Sequence, residues 1–578
     1  MRGGWKACCD VCNRFEVSVE IFVGASAMDN FPNVFFGLSD AGSGQRLGQI
    51  VGGSLSEGVQ VKLDPGAVIE GVTVGSYVTI IGQTGRRFFG LVTDIRLDAT
   101  DAAVQKMPPP DPSMHDLLRG TTVYGVLEVK PHLVREGESG ELRPVKSVPA
   151  HFSPVCRSTP EEVRKVFTPD AQASYLIGTS LEDDKIEINI DLERMLERSS
   201  AVFGRSGTGK TFMTLPLLAS VIDKDLASCL IFDMHNDYGY TLKGDKNRKL
   251  KGLKQLNSIT GRVKIVTLDE KSSRMRGSNP EFALKISHDR IEPEDLESVR
   301  SLLALTDVQV NALYALKRRA PDTWIEELMS DETGAAAQEM IDGNKIAEGT
   351  YFAMQRKIHR LLKFEFITEH ASVDFVERII ADLTKGVSVV VEFGKYGDDL
   401  SAYVFVANFL TRRIRERYRQ MKEAAEGGSG VEPKKLVIVI EEAHKFLEPG
   451  VAELTIFGVI ARELRKYNVT LLVVDQRPSQ IDAEVMSQIG TRITCALSDE
   501  KDISAVFTGV SGAAQLRSVL ASLDSKQQAL IMGHAVPMPV AVRTTDYGEQ
   551  VYAKYAIGPA ATALRRDSND LTSEQPFG

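Results

Sequence analysis

The segment Ala201-Val202-Phe203-Gly204-Arg205-Ser206-Gly207-Thr208-Gly209-Lys210-Thr211 matches G-x-x-x-x-G-K-[ST], directly after an apolar run and before Phe212–Ile222, which has helical spacing. A strand, a glycine-rich turn and a helix in that order make a phosphate-binding loop. The glycines let backbone N–H groups curl around phosphate oxygens, and the helix N-terminus adds a favourable field. Gly204, Arg205, Ser206, Gly207, Thr208, Gly209, Lys210 and Thr211 therefore form the expected ATP-binding loop. Lys210 is expected to reach the β and γ phosphates, and the Thr211 hydroxyl to bind Mg2+. The pattern also dictates architecture, because such a loop is delivered by a buried strand whose neighbours must be covered by helices.

Those neighbours are legible. Ala201–Phe203, Cys229–Phe232, Val263–Thr267, Val387–Glu392, Leu436–Ile440 and Thr470–Val474 are apolar runs separated by helical stretches. This is the pattern of an α/β domain with a mainly parallel sheet covered on both faces. Ligands of such sheets gather at the C-terminal ends of strands, and three of these ends carry reactive groups. Leu436–Ile440 runs into Glu441-Glu442-Ala443-His444. Glu441 is expected in the Mg2+ shell, and Glu442 as the base that polarises the attacking water. Thr470–Val474 runs into Asp475-Gln476-Arg477-Pro478, where Gln476 is expected to sense the γ phosphate; a plain turn set by Pro478 is the competing reading. Cys229–Phe232 leads into Asp233-Met234-His235-Asn236-Asp237-Tyr238. Asp233 would order the Mg2+ shell or the attacking water, or else cap the following turn. Arg205 is expected to point outward, so the loop lacks an arginine for the developing charge. Arg465, with Arg462 second, on the predicted helix Thr455–Tyr467, is the candidate to supply one to a neighbouring subunit.

With 578 residues the chain exceeds what one hydrophobic core serves. Residues 1–47 read as a Gly-rich flexible leader. Residues 48–155 contain Val59–Leu63, Tyr77–Ile81, Phe88–Ile95 and Thr122–Val129, broken by glycines and by Pro108-Pro109-Pro110, and predict a small β-barrel. Residues 156–290 and 385–550 form two parts of the ATPase core. Between them, residues 291–384 predict a helical insertion, beginning at Pro293 with Leu296, Val299, Leu302 and Leu303 at helical spacing. Phe405–Glu426 predicts a long helix ended by Gly427-Gly428-Ser429-Gly430, and residues 551–578 are expected to form a C-terminal tail, polar from Asp567 to Gly578.

No apolar run approaches the roughly 20 residues of a bilayer span, and the N-terminus does not resemble a secretory signal. Six cysteines in 578 residues are too few for a disulfide framework. A cytoplasmic protein is expected. Cys8, Cys9 and Cys12 include a Cys-x-x-Cys half-site with no second ligand pair at zinc spacing nearby. The net charge of −9 argues against a surface coated with cations. It does not exclude nucleic acid, because affinity depends on charge close to the phosphates. Lys243, Lys246, Arg248, Lys249, Lys251 and Lys254 are candidates to line a pore, against the alternative of a solvated loop. No recognition helix or zinc-finger pattern accompanies them, so no base-sequence specificity is expected.

Together these pieces resemble the HerA helicase and translocase family, within the HerA and FtsK group of RecA-like P-loop motors. The resemblance covers about Gly48 to Asp546. It rests on the β-barrel before the loop, Asp233-Met-His-Asn-Asp237-Tyr, Glu441-Glu-Ala-His, Arg462-Glu-Leu-Arg465-Lys466-Tyr and Gln476-Arg-Pro-Ser. It implies a homohexameric ring that threads double-stranded DNA through a central pore. It also implies a partner, a NurA-like nuclease in DNA end processing or an effector protein in antiviral defence, which would dock on a barrel that also stabilises the ring. Two departures matter. Family members usually carry Asp-Glu where this chain has Glu441-Glu442, and Gly-Glu-Tyr where it has Asn236-Asp237-Tyr238. An ATP-switched assembly platform and a protein-translocating secretion-type ATPase share the same nucleotide motifs and remain as alternatives.

Overall fold

The computed structural model describes residues 44–556, apart from 138–139, 170–171, 244–248, 331–332, 454, 464–465 and 511. Cys8, Cys9, Cys12, Lys246, Arg248 and Arg465 lie outside the described residues.

The first strand of the N-terminal barrel starts at Arg46, two residues before the expected boundary, and the last, Pro154–Arg157, closes against it. Two strands, Arg87–Ala99 and Val123–Arg135, are each 13 residues long and pair along their whole length. The first outruns the apolar segment expected there because its far end is solvated, whereas the second continues past Val129 with buried Pro131, Leu133 and Arg135 alternating with half-buried residues. The short helices Ala102–Lys106 and Pro112–Leu118, on either side of Pro108-Pro109-Pro110, connect them. Successive side chains point to opposite faces, and the barrel uses both. Val78, Ile80, Phe88, Val92, Leu127 and Val129 fill its own small core. Tyr77, Phe89, Leu91 and Leu133 point the other way into the large core of the following domain. The barrel is thus a wall of the larger body, pinned further by the Ser518 hydroxyl on the Thr93 carbonyl (2.5 Å) and by Gln515 on the Glu57 carbonyl (3.1 Å).

The second domain is built on a 12-stranded sheet. Its parallel portion runs, edge to centre, Phe282–Ala283, Val263–Thr267, Ser388–Glu392, Ser228–Asp233, Leu436–Glu441, Val469–Asp475, Ser200–Phe203 and Thr491–Cys495. Every residue of Ser228–Asp233, Ser388–Glu392, Leu436–Glu441 and Val469–Asp475 is buried, as strands covered on both faces must be. Beyond Thr491–Cys495 the sheet turns antiparallel through Gln528–Gly533, Val540–Thr544, Ser174–Ser180 and Glu187–Asp191. The 14-residue helix Lys210–Asp223 and the 27-residue helix Leu400–Glu426 are among those covering it. Cys229 and Cys495 are core residues.

The insertion is helical, with one correction. The helix begun at Pro293 stops at Glu297, and Leu302 is 42% exposed instead of facing the core. The chain turns there through Ala304 at φ 50. The longest helices of the insertion, Asp307–Arg319 and Glu348–Leu362, follow. The start of the expected C-terminal tail packs on the core: Glu549–Lys554 is a helix that buries Val551 and Tyr552, and the Tyr555 hydroxyl bonds to Ser220 Oγ at 2.8 Å. Among the described residues no helix is long and apolar enough to cross a membrane.

Candidate active site

Gly204 to Thr211 leave the buried strand Ser200–Phe203 and enter the helix at Lys210. Two glycines are required by the geometry. A Cβ on Gly204 would lie 2.6 Å from Thr208 Oγ1 and 2.8 Å from Cys495 Cβ. Gly209, the residue before the helix, has φ 96, a conformation costly for any side chain. The Lys210 ammonium folds back onto the loop, donating to the carbonyls of Gly204 (2.8 Å) and Arg205 (3.2 Å). Burial lowers its pKa, and Glu442 opposes that shift. Arg205 is exposed, as expected.

The loop forms one wall of a cleft of about 690 Å³. Thr211, Glu441, Glu442 and Gln476 line it with Lys210, so the structure brings together the expected residues of three separate strand ends. Glu442 has φ 48, a strained value for a residue with a Cβ, which turns the chain out of the sheet and puts its carboxylate beside Gln476. The Gln476 amide donates to both Glu442 oxygens at 3.1 and 3.0 Å.

Asp475, completely buried, fixes that arrangement from beneath. Its carboxylate accepts the backbone N–H of His444 (2.7 Å), lies 2.9 Å from His444 Nδ1, and accepts the N–H of Arg477 (2.6 Å). The turns after Glu442 and after Gln476 are therefore tied to one carboxylate. Asp475→Ala is expected to cost about 3 kcal/mol, since it strips a buried charge from three donors. The check is the midpoint of chemical unfolding; an unchanged midpoint would remove Asp475 from this clamp.

Glu441 is buried and held by two tyrosines. The Tyr238 hydroxyl donates to Glu441 Oε1 (3.1 Å), and the Tyr403 hydroxyl donates to its backbone carbonyl (3.0 Å). Burial, with Asp233 and Asp237 nearby, pushes the Glu441 carboxyl well above the usual carboxylate range. Its Oε2 is buried without a hydrogen-bond partner. An orphaned carboxyl oxygen in a cleft that Thr211 also lines fits a Mg2+ ion carried in with the nucleotide, whose charge would favour the ionised carboxylate. Among the described residues no group of three or more His, Cys, Asp or Glu is placed to hold a metal by itself.

Asp233 is placed differently from the first of its two expected roles. It is fully buried and accepts the backbone N–H groups of Asp237 (2.8 Å), Tyr238 (2.9 Å) and Gly239 (3.3 Å), while the cleft is lined by His235 and Asp237. It caps the turn that aims Tyr238 at Glu441. Burial pushes its carboxyl up to about 7 despite those bonds. Arg462 lies in the helix Ile456–Glu463, with its guanidinium 3.3 Å from Glu484. Of the lysine cluster, Lys254 pairs with Glu281 (2.6 Å) and Lys251 lies over the Tyr552 ring (5.0 Å).

Sequence reasoning missed Asp475, the two tyrosines and a further wall of the cleft, Lys526, Gln527 and Thr544–Tyr547. A polar residue closing an all-apolar strand was a usable signal for Asp475. The other groups carry none.

Residues 175–414 match the family model described as "Helicase HerA, central domain", and residues 47–106 match the HAS barrel domain. The DNA double-strand break repair helicase HerA of Sulfurisphaera tokodaii is 25% identical over 516 residues, spanning 87% of this chain and 93% of the relative. That of Pyrococcus furiosus is 24% identical over 406 residues, spanning 64% and 70%. Among solved structures, VirB4 of Thermoanaerobacter pseudethanolicus superposes with a TM-score of 0.43 at 14% identity, covering 67% of this chain and 99% of VirB4.

Proposed function

This chain is a HerA-type ATPase, and from that premise we propose that ATP hydrolysis in the cleft drives a homohexameric ring along double-stranded DNA held in its central pore. The observation that carries the ring is a deficit. The cleft presents a phosphate loop, two carboxylates and a glutamine, yet among the described residues no arginine lines it. Phosphoryl transfer gains about 10³ to 10⁵ in rate from an arginine, in cis or from a neighbour. A ring supplies one at every subunit boundary, from Arg465 or Arg462. DNA as the track is supported by the relatives, which are named as DNA double-strand break repair helicases.

Within the cleft, Lys210 leaves the loop carbonyls for the β and γ phosphates, and Thr211 and Glu441 would hold Mg2+, which would supply positive charge to the triphosphate. Glu442 takes the proton of the attacking water. Gln476, already bonded to Glu442, is placed to transmit the presence of the γ phosphate to the Arg477-Pro478 turn. The barrel docks a protein partner, a NurA-like nuclease in end processing or an effector in antiviral defence. Its exposed Leu97, Met107 and Leu117, each more than 70% accessible, support docking there.

The test is ATP turnover with and without double-stranded DNA over a range of salt, on material whose mass matches six copies. Turnover is expected to rise with DNA, and the apparent DNA affinity to fall on the order of a hundredfold or more between 50 and 200 mM salt. Turnover indifferent to DNA in a proven hexamer would favour an ATP-switched platform instead.

A further inference from the structure

The strand order fixes which end of a bound triphosphate faces which wall. On one side of the loop strand Ser200–Phe203 lie Val469–Asp475 and Leu436–Glu441, and from their ends come Gln476 and Glu442. On the other side lie Thr491–Cys495, Gln528–Gly533 and Val540–Thr544. The two antiparallel strands meet the cleft where Gln527 precedes one and Thr545 follows the other, with the Thr544 N–H on the Gln527 carbonyl at 2.9 Å. The phosphate to be attacked has to face Glu442. The α phosphate and everything beyond it are therefore directed toward the opposite wall.

That wall has the character of a nucleoside site. Phe212 lines the cleft with Leu242 and Leu250, which pair with each other in a hairpin held to the Thr544–Tyr547 side by the Tyr547 hydroxyl on the Lys251 carbonyl (2.6 Å), and these give it an apolar surface suited to the face of a base. Gln527 is exposed at the cleft and held at φ 57, a conformation that side-chain-bearing residues rarely keep without a reason. Its amide can exchange donor and acceptor by a flip. Adenine and guanine differ in the same sense at position 6, one offering an amino donor and the other a carbonyl acceptor. Strong rejection of a near-isostere needs a fixed polar group that the wrong ligand leaves unpaired. A rotatable, solvent-accessible amide imposes no such penalty.

We propose that Gln527, with the apolar wall of Phe212, Leu242 and Leu250, forms the nucleoside subsite within the same subunit, and that its flippable amide makes ATP and GTP both substrates. The inference rests on the triphosphate lying along Gly204–Thr211.

Steady-state hydrolysis of ATP and of GTP by the full chain and by Gln527→Ala tests it, with inorganic tripolyphosphate as a competitive inhibitor that has no nucleoside. GTP is expected to show kcat/KM within about tenfold of ATP. In Gln527→Ala, kcat/KM should fall about five- to tenfold for both nucleotides through KM, the scale of one lost hydrogen bond, while the tripolyphosphate inhibition constant stays put. Unchanged KM values, a tripolyphosphate constant that rises with KM, or a preference for ATP beyond about a hundredfold would each overturn the inference while leaving the phosphate-loop reading intact. Hydrolysis of neither nucleotide by the unaltered protein would overturn both.

Discussion

Glu442→Gln protein is expected to bind ATP with an affinity within about threefold of the unaltered protein, yet to hydrolyse it about 10² to 10⁴ times more slowly. The substitution keeps the shape of the side chain. It keeps the partner too, since an amide at 442 can still accept a hydrogen bond from Gln476, now 3.0 to 3.1 Å from both carboxylate oxygens. What it removes is the capacity to take a proton from water, and that capacity matters only as the attack proceeds. Binding energy lies elsewhere, on the loop amides and Lys210. Single-turnover hydrolysis and equilibrium binding of labelled ATP separate the two effects. Turnover near the unaltered rate would strip Glu442 of the role of base. A binding defect as large as that of a phosphate-loop variant would show instead that Glu442 shapes the cleft.

The features legible in the sequence share a property: their signal is local. Leu436–Ile440 reads as a buried strand because every residue in it is apolar, and a strand of that kind ends where its first charges appear. The sequence therefore puts Glu441 and Glu442 at the C-terminal end of a buried strand. The loop glycines follow from conformations that side chains avoid, as Gly209 at φ 96 illustrates. Features assembled by topology were not legible. Gln527 and Thr545 reach the cleft only because the sheet adds antiparallel strands beside Thr491–Cys495, and nothing in their neighbours' composition encodes that. Tyr238 and Tyr403 meet Glu441 from elements 203 and 38 residues away.

Other differences trace to competing local signals. The periodicity of Thr455–Tyr467 predicts a helix through Tyr467; the described helix is Ile456–Glu463, residues 464–465 lie outside the described residues, and Lys466 to Asn468 form a turn. Asn468 at φ 58 marks that turn, and asparagine is a residue that commonly takes the left-handed conformation after a helix. Spacing alone puts Leu302 on the same helical face as Leu296 and Val299, whereas a chain reversal at Ala304 leaves it at the surface. For Asp233, two readings of one sequence were open, and burial favours the cap: a carboxylate sealed from the cleft and accepting three backbone N–H groups is committed to the turn.

Lys210→Ala should differ from Glu442→Gln in kind. Here both binding and hydrolysis are expected to fail, with turnover reduced by on the order of 10² to 10³ or more, because an ammonium that contacts the β and γ phosphates acts on bound substrate and on the developing charge alike. In the structure Lys210 donates to the carbonyls of Gly204 and Arg205, so the ammonium already lies within the loop's curve and needs only to exchange carbonyl partners for phosphate oxygens. Burial lowers its pKa, which makes the charged form more costly in the cleft than in water. A bound polyphosphate reverses that cost, so the cleft itself favours an anion at this point. Removing the side chain takes little from the fold, since the carbonyls it bonds belong to a loop at the mouth of the cleft. A change in Tm of about 2 °C or less is the expected result. Retained ATP binding, or a large fall in Tm, would show that Lys210 holds the loop together more than it holds the phosphates, and the division of labour between Lys210 and Glu442 would have to be redrawn.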